Sequence, residues 1–431
     1  MKYIIPIFLS ILGFILSITI FNITQSLLIA IIILLVIFWS NEALPIGVVS
    51  LLPIILFPLL GILELKATTA NYSKSIIFLF LGGFMIATAV EKTNLHEIIA
   101  QKLISIFPKT PKGLIFALST TSAALSSILS NTTTALLLMP IALYLTQNNT
   151  LKIRLVLAIA YGASIGGIIT PIGTPPNLIL MGFLEDKNLE ILTFIEWMIK
   201  TIPLAIIMLL IVSYILSLGI NHIKINPIKE NFNLDTNQKR LKNILIILVL
   251  FLFLNSFIKI SDAIILLAFG LLMFMPKIGF LEWEDTKNIP YEIIFLFGAG
   301  FSIAKAFSST GLANEISTML LSLSNLSPFI LLVLVAFIIT FTTEITSNTA
   351  LISIALPIIY SLGVDTSIDE NLLLMLSTIC ASYAFMLPIA TPPNAIAMSS
   401  KVLSVKDMAK FGFVFNLIAI ILTSTFAYLF W

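Results

Sequence analysis

Displaced by 217 residues and laid against itself, the sequence aligns without a gap over residues 76–181 and 293–398, and that register constrains the fold more than any other feature. Three separate blocks share it. Residues 76–95 and 293–312 are identical at 12 of 20 positions. Ser130-Asn131-Thr132 falls on Ser347-Asn348-Thr349. Pro171-Ile172-Gly173-Thr174-Pro175-Pro176-Asn177 falls on Pro388-Ile389-Ala390-Thr391-Pro392-Pro393-Asn394. Chance does not place three blocks in one register, so the chain reads as two copies of one unit.

Composition names the solvent of those copies. Of 431 residues, 59% are hydrophobic and only 10% charged, with mean hydropathy +1.10. A soluble domain carries about a quarter charged residues and cannot hide so much apolar surface. Lipid is therefore expected around most of the chain. Stretches long enough to span hydrocarbon as helices lie at residues 4–21, 24–40, 44–62, 75–92, 152–183, 194–219, 241–258, 261–276, 291–308, 371–400 and 408–430. The fold class expected is an all-α polytopic membrane protein with about eleven crossings. Residues 1–21 begin like a signal peptide, but the apolar run after Lys2 is too long and no small-residue cleavage site follows, so they read as a first transmembrane helix. Segments 113–146 and 328–360 each hold a Ser-Asn-Thr triplet at the middle and are expected as re-entrant hairpins of two half-length helices.

Basic residues mark the cytoplasmic side. With the N-terminus inside and the C-terminus outside, seventeen of the 23 lysines and arginines fall there; Lys66, Lys74, Lys187, Lys200, Lys259 and Lys305 do not. Each unit then holds five crossings and one hairpin. Five is odd, so the second unit enters from the opposite face and the repeats are inverted. The expected division is an extra helix at 1–23, a first repeat at 24–220, a cytoplasmic linker at 221–240 and a second repeat at 241–431. Inverted repeats with helices broken at matching places are the plan of secondary transporters, with the site near the midplane.

Other chemistry is poorly supported. The net charge of +2 does not suggest nucleic-acid binding, and one cysteine, Cys380, permits neither an intrachain disulfide nor a multi-cysteine metal site. His96 and His222 stand alone and lie near predicted cytoplasmic loops. Glu42, Glu91 and Glu344 are the candidate embedded acids that a proton-coupled antiporter would need, and are read as structural or pairing residues. Without an acidic or histidine cluster at ligand spacing in the spans, an enzyme is not expected.

Within lipid an unpaired backbone group costs several kcal/mol, so broken helices survive only where protein, water or a ligand satisfies them. Pro175 and Pro176, like Pro392 and Pro393, force the preceding residues out of helical geometry, leaving carbonyls near Gly173 and Ala390 for a hard cation such as sodium. At each Ser-Asn-Thr one short helix ends and another begins, presenting amides and hydroxyls to a carboxylate. The only arginines, Arg154 and Arg240, lie at cytoplasmic helix ends or loops, so an anion at the midplane must be balanced by helix dipoles and co-bound cations.

These paired motifs, together with Trp39-Ser40-Asn41-Glu42-Ala43-Leu44-Pro45, resemble the divalent anion:sodium symporter family over nearly the whole chain. The resemblance implies homodimers in a bacterial inner membrane, whose transport domain moves elevator-fashion against a scaffold and carries succinate, malate or fumarate with sodium. It places one sodium among Ser126, Ser130, Asn131 and Gly173, and a second among Thr343, Thr346, Asn348 and Ala390. Substrate carboxylates would rest on Ser130, Asn131, Thr132, Ser347, Asn348 and Thr349, near Thr174 and Thr391. Since a backbone carbonyl is the ligand at Gly173 and Ala390, side-chain identity there is expected to matter little. Exchangers and carriers of citrate, tartrate or sulfate share the architecture and stay open as alternatives. Beyond sodium as coupling ion no cofactor is implied.

Overall fold

The computed structural model describes residues 3–41, 43–220, 234–258, 260–320, 326–364 and 368–431; Glu42, His222, Lys259 and the linker from 221 to 233 lie outside them. The described residues form α-helices and short 3₁₀ turns, with no strand among them. The first repeat region contains α1 (Ile4–Ser17), α2 (Ile23–Asn41), α3 (Ile46–Leu59), α4 (Leu65–Ala70), α5 (Ser75–Lys92), α6 (Leu95–Ile106), α7 (Pro111–Ser126), α8 (Asn131–Tyr144), α9 (Asn149–Gly167), α10 (Pro175–Lys187) and α11 (Phe194–Leu216). The second contains α12 (Thr236–Ile258), α13 (Asp262–Leu272), α14 (Tyr291–Thr310), α15 (Leu312–Leu320), α16 (Pro328–Thr343), α17 (Asn348–Val364), α18 (Glu370–Ala381), α19 (Pro392–Ser399) and α20 (Val405–Phe430).

Helix boundaries follow local chemistry. Pro111, Pro175, Pro328 and Pro392 each open a helix, where a missing N–H costs nothing and φ is already helical. The paired prolines therefore start α10 and α19, while α9 and α18 have already ended at Gly167 and Ala381. The expected linker is shorter than 221–240, because α12 already begins at Thr236. Asp235 Oδ1 accepts from Gln238 N at 2.7 Å while Gln238 Oε1 accepts from Asp235 N at 3.0 Å, a reciprocal cap that starts the helix five residues early. The short helices α4, α6 and α15 were not anticipated, being too brief or too polar to read as spans.

By length and composition, Leu65–Lys92, Asn149–Gly167, Phe194–Leu216, Tyr291–Thr310 and Val405–Phe430 can each cross a membrane. Among the described residues, seven shorter apolar helices accompany them. Outward faces are apolar: on α12, Ile246, Ile247, Val249, Leu250, Phe253 and Leu254 are all exposed. The interior is where the hydroxyls are, with Ser122, Ser126, Thr134, Thr340, Ser353 and Thr378 fully buried. That inversion of the soluble pattern is the arrangement of a multi-pass membrane protein.

Packing interleaves the two repeats. In the first, α3 lies on α14 of the second, while α13 of the second lies on α5 of the first. The α5–α13 approach is close enough that a Cβ at Gly82 would come within 2.4 Å of the Leu266 backbone. Similarly α10 packs on α17, and α19 on α8. Equivalent helices α5 and α14 run in opposite directions. At the N-terminal end of α5, Lys74 pairs with Asp186. The neighbouring Lys187 donates to Ser308 Oγ, near the C-terminal end of α14, at 3.0 Å. At the other end, Lys92 pairs at 2.6 Å with Asp285, six residues before α14 starts. An 18-residue α5 puts these ends about 27 Å apart.

Candidate functional site

Two helix–turn–helix units and two interrupted helices carry the motif residues. Ser130 ends the first turn and caps α8: its Oγ accepts from Thr133 N at 3.0 Å and donates to Thr133 Oγ1 at 2.9 Å. Across the turn, Ser126 Oγ donates to Asn131 Oδ1 at 2.5 Å. The same bond recurs 217 residues later, from Thr343 Oγ1 to Asn348 Oδ1 at 2.6 Å. Each pair sets a hydroxyl and an amide oxygen side by side, an oxygen cluster suited to a small hard cation, and leaves the asparagine NH₂ free to serve an anion.

Between α9 and α10, and again between α18 and α19, the backbone leaves the helix. Asn177 Nδ2 donates to Gly167 O at 3.0 Å and Thr170 O at 2.9 Å. Asn394 Nδ2 donates to Ala384 O at 2.9 Å and Leu387 O at 3.0 Å, the register-equivalent pair. At the first break the tip and the unwound segment touch: a Cβ at Gly167 would be 3.1 Å from Asn131 Oδ1 and 3.2 Å from the Thr174 Cβ. Gly173 is adjacent, its would-be Cβ 2.5 Å from Gly167 O. Ser126, Asn131, Gly173 and Thr174 thus form one contact cluster. The expectation that side-chain identity matters little at Gly173 fails there, because the first break is too tight for a methyl group that the second accommodates in Ala390.

In the second unit Thr343 also lies 2.9 Å from Ala381 O, and Thr391 caps α19 by accepting from Asn394 N at 3.4 Å. Thr346 is turned to its own helix, donating to Thr342 O at 3.0 Å. Ser126, Gly173, Thr174, Thr343, Thr349, Ala390 and Thr391 are buried; Ser130, Asn131, Thr132, Thr346, Ser347 and Asn348 are half-buried.

The breaks differ in what holds them from outside. At the first, Trp197 and Thr201 of α11 donate to the carbonyls of Ile168 and Ile169, at 2.9 and 3.1 Å. At the second, the amides are held instead. Glu344 Oε1 accepts from Phe385 N at 2.7 Å and Met386 N at 2.9 Å, and Oε2 from Leu387 N at 2.9 Å. Asn416 Nδ2 of α20 adds a fourth donor at 2.6 Å. Glu344 is thereby a clamp on the break, with its oxygens occupied by donors. His96 Nδ1 lies 3.1 Å from Val90 O, and Glu91 sits in the last turn of α5. Both arginines are spent on helix ends, Arg154 on the carbonyls of Leu216 and Leu218 and Arg240 on that of Lys277.

Sequence reasoning missed Asn177, Asn394, Trp197 and Asn416. The first two were visible as the last letters of the matched proline motif. Asn416 was visible as a lone amide in the apolar run 411–422 of α20, a placement that lipid penalises unless the group has partners. Nothing marked Trp197. An open depression of about 700 Å³ lined by Asn22, Thr24, Gly61 and Thr310 involves none of the tip residues.

Comparison with known proteins places the chain in a family. The citrate transporter family model matches residues 32–379. The sodium-dependent dicarboxylate transporter SdcS of Staphylococcus saprophyticus is 34% identical, covering 89% of this chain and 82% of its own. SdcS of Staphylococcus aureus strain USA300 is 33% identical with the same coverage. Among solved structures, MtrF of Neisseria gonorrhoeae, described as illuminating a class of antimetabolite efflux pumps, superposes with TM-score 0.60 at 11% identity over 97% of both chains. The YdaH transporter of Alcanivorax borkumensis gives 0.57 at 12% identity over 84% of this chain and 88% of that one. The two structures share the fold; the sequence matches carry the family. The chain belongs to the citrate transporter family and to the divalent anion:sodium symporters that its paired motifs resemble, a group of membrane transporters and not of enzymes.

Proposed function

We propose that this protein is a sodium-coupled symporter of C4 dicarboxylates such as succinate, malate and fumarate in a bacterial inner membrane. The observation that carries the reading is the repetition, in one register, of the hydroxyl–asparagine pair at each tip. Sodium would be held by Ser126, Ser130, Asn131 and the Gly173 carbonyl at one tip, and by Thr343, Thr346, Asn348 and the Ala390 carbonyl at the other. Two cations there offset an anion for which no arginine is at hand. The substrate carboxylates would rest on Ser130, Asn131, Thr132, Ser347, Asn348 and Thr349 beside Thr174 and Thr391. There the first amides of α8 and α17 add donors and a favourable helix dipole worth about 0.3–1 kcal/mol each.

The two repeats are read as inverted, at 24–220 and 241–431 after an extra helix at 1–23. The antiparallel course of α5 and α14 and the exchange of α10 and α19 between repeats support this. On this reading the chain makes eleven crossings and two re-entrant hairpins, with the N-terminus cytoplasmic. The hairpins and broken helices would move together, elevator-fashion, against the remaining helices of a homodimer.

Uptake of labelled succinate into proteoliposomes is the test. An inward sodium gradient should drive accumulation, and sodium-independent counterflow alone would show an exchanger instead. The family description makes citrate the competitor to include, and preferential citrate uptake would replace the substrate while keeping the sites.

A further inference from the structure

The site reading leaves Asn177 and Asn394 unused, yet they make the same pair of contacts at register-equivalent carbonyls. Each is the third residue of its half-helix and is fully buried. Each spends both amide hydrogens on carbonyls of the break before it, at 2.9 and 3.0 Å. One of those carbonyls also accepts from the very residue assigned as a cation ligand: Gly173 N donates to Thr170 O, and Ala390 N donates to Leu387 O, both at 3.2 Å. In both copies the Oδ1 atom has no partner. Turning either amide over would set its oxygen against two carbonyl oxygens, so the donor function alone fixes the side chain. If these residues only filled space, an apolar side chain would do so without burying an orphan acceptor.

We propose that Asn177 and Asn394 are paired positioning residues for the two cation sites, each stapling its break so that the Gly173 or Ala390 carbonyl keeps ligand geometry. The inference rests on the cation-site reading above. Aspartate has the same shape and cannot make both donations, which makes Asn177→Asp and Asn394→Asp the informative variants.

The experiment titrates sodium chloride against choline chloride at constant ionic strength, without dicarboxylate, and follows the thermal unfolding midpoint of the detergent-purified full chain. A cation that binds the native state raises that midpoint by mass action. Each Asp variant should need about tenfold more sodium than wild type for the same rise. In proteoliposomes the sodium half-saturation should move alike, with the maximal rate at saturating sodium recovered. A packing role would lower the midpoint at every sodium concentration and leave half-saturation unmoved, which would overturn the proposal. Asn177→Ser and Asn394→Ser keep one donor and should shift sodium dependence by an intermediate factor; they decide by the same criterion if the Asp variants do not fold. A wild type indifferent to sodium would refute the cation sites themselves, and this inference with them.

Discussion

A methyl group at Gly173 would sit 2.5 Å from the Gly167 carbonyl oxygen and 3.0 Å from its carbon, and neither atom can retreat without moving the break. Gly173→Ala should therefore reduce sodium-driven uptake by more than tenfold, a loss of at least about 1.4 kcal/mol. Ala390→Gly, which only removes a methyl, should stay within about threefold of wild type in the same assay. For the tips, Asn131→Ala and Asn348→Ala should each abolish uptake while leaving folded protein by size-exclusion chromatography; normal transport by either would refute the assignment. Single residues were legible where their chemistry repeats. The Ser-Asn-Thr and Thr-Pro-Pro motifs announced themselves by register, but Trp197 gave no signal, because a tryptophan in an apolar helix looks the same whether or not its Nε1 holds a carbonyl.

At the scale of elements, the second break depends on one carboxylate. Glu344→Ala strands the half-buried amides of Met386 and Leu387 and leaves the buried Phe385 amide only the longer bond to Asn416 Oδ1 at 3.3 Å, where each lost partner costs about 1–3 kcal/mol. The variant should unfold at a clearly lower temperature in detergent, by about 3 kcal/mol or more of lost stability. Ser127 holds the equivalent place in the first repeat, and its hydroxyl only donates to Ala124 O in its own helix. Ser127→Ala should cost less than about 1 kcal/mol. This asymmetry was invisible in the alignment, which matches positions and not partners. Apolar length marked the stretches 113–146, 152–183, 194–219, 328–360, 371–400 and 408–430 in which α7 to α11 and α16 to α20 largely lie, while the prolines and Ser-Asn-Thr triplets, not length, signalled where those stretches are interrupted. It could not reveal α4, α6 and α15, since short helices leave no such imprint, or the cap that starts α12 inside the expected linker.

For the whole molecule, the claim that matters is that two units of opposite direction build one site from both halves. The packing of α10 on α17 and of α19 on α8 supplies the physical basis, since neither unit encloses its own broken helix alone. The odd number of crossings expected per repeat pointed to inversion, but which helices pack across the repeats depends on side-chain packing that no periodicity records. The exposed Ile128 and Ile345, equivalent in register and each two residues before a tip serine, offer reporters outside the proposed ligand sets. In a Cys380→Ala background, Ile128→Cys and Ile345→Cys can be labelled with a membrane-impermeant maleimide from either face of oriented vesicles, with and without sodium and succinate. The account predicts that both tips react from the same face in a given state, and that sodium with succinate slows both together. Labelling of the two tips from opposite faces, unaffected by sodium and succinate, would contradict it.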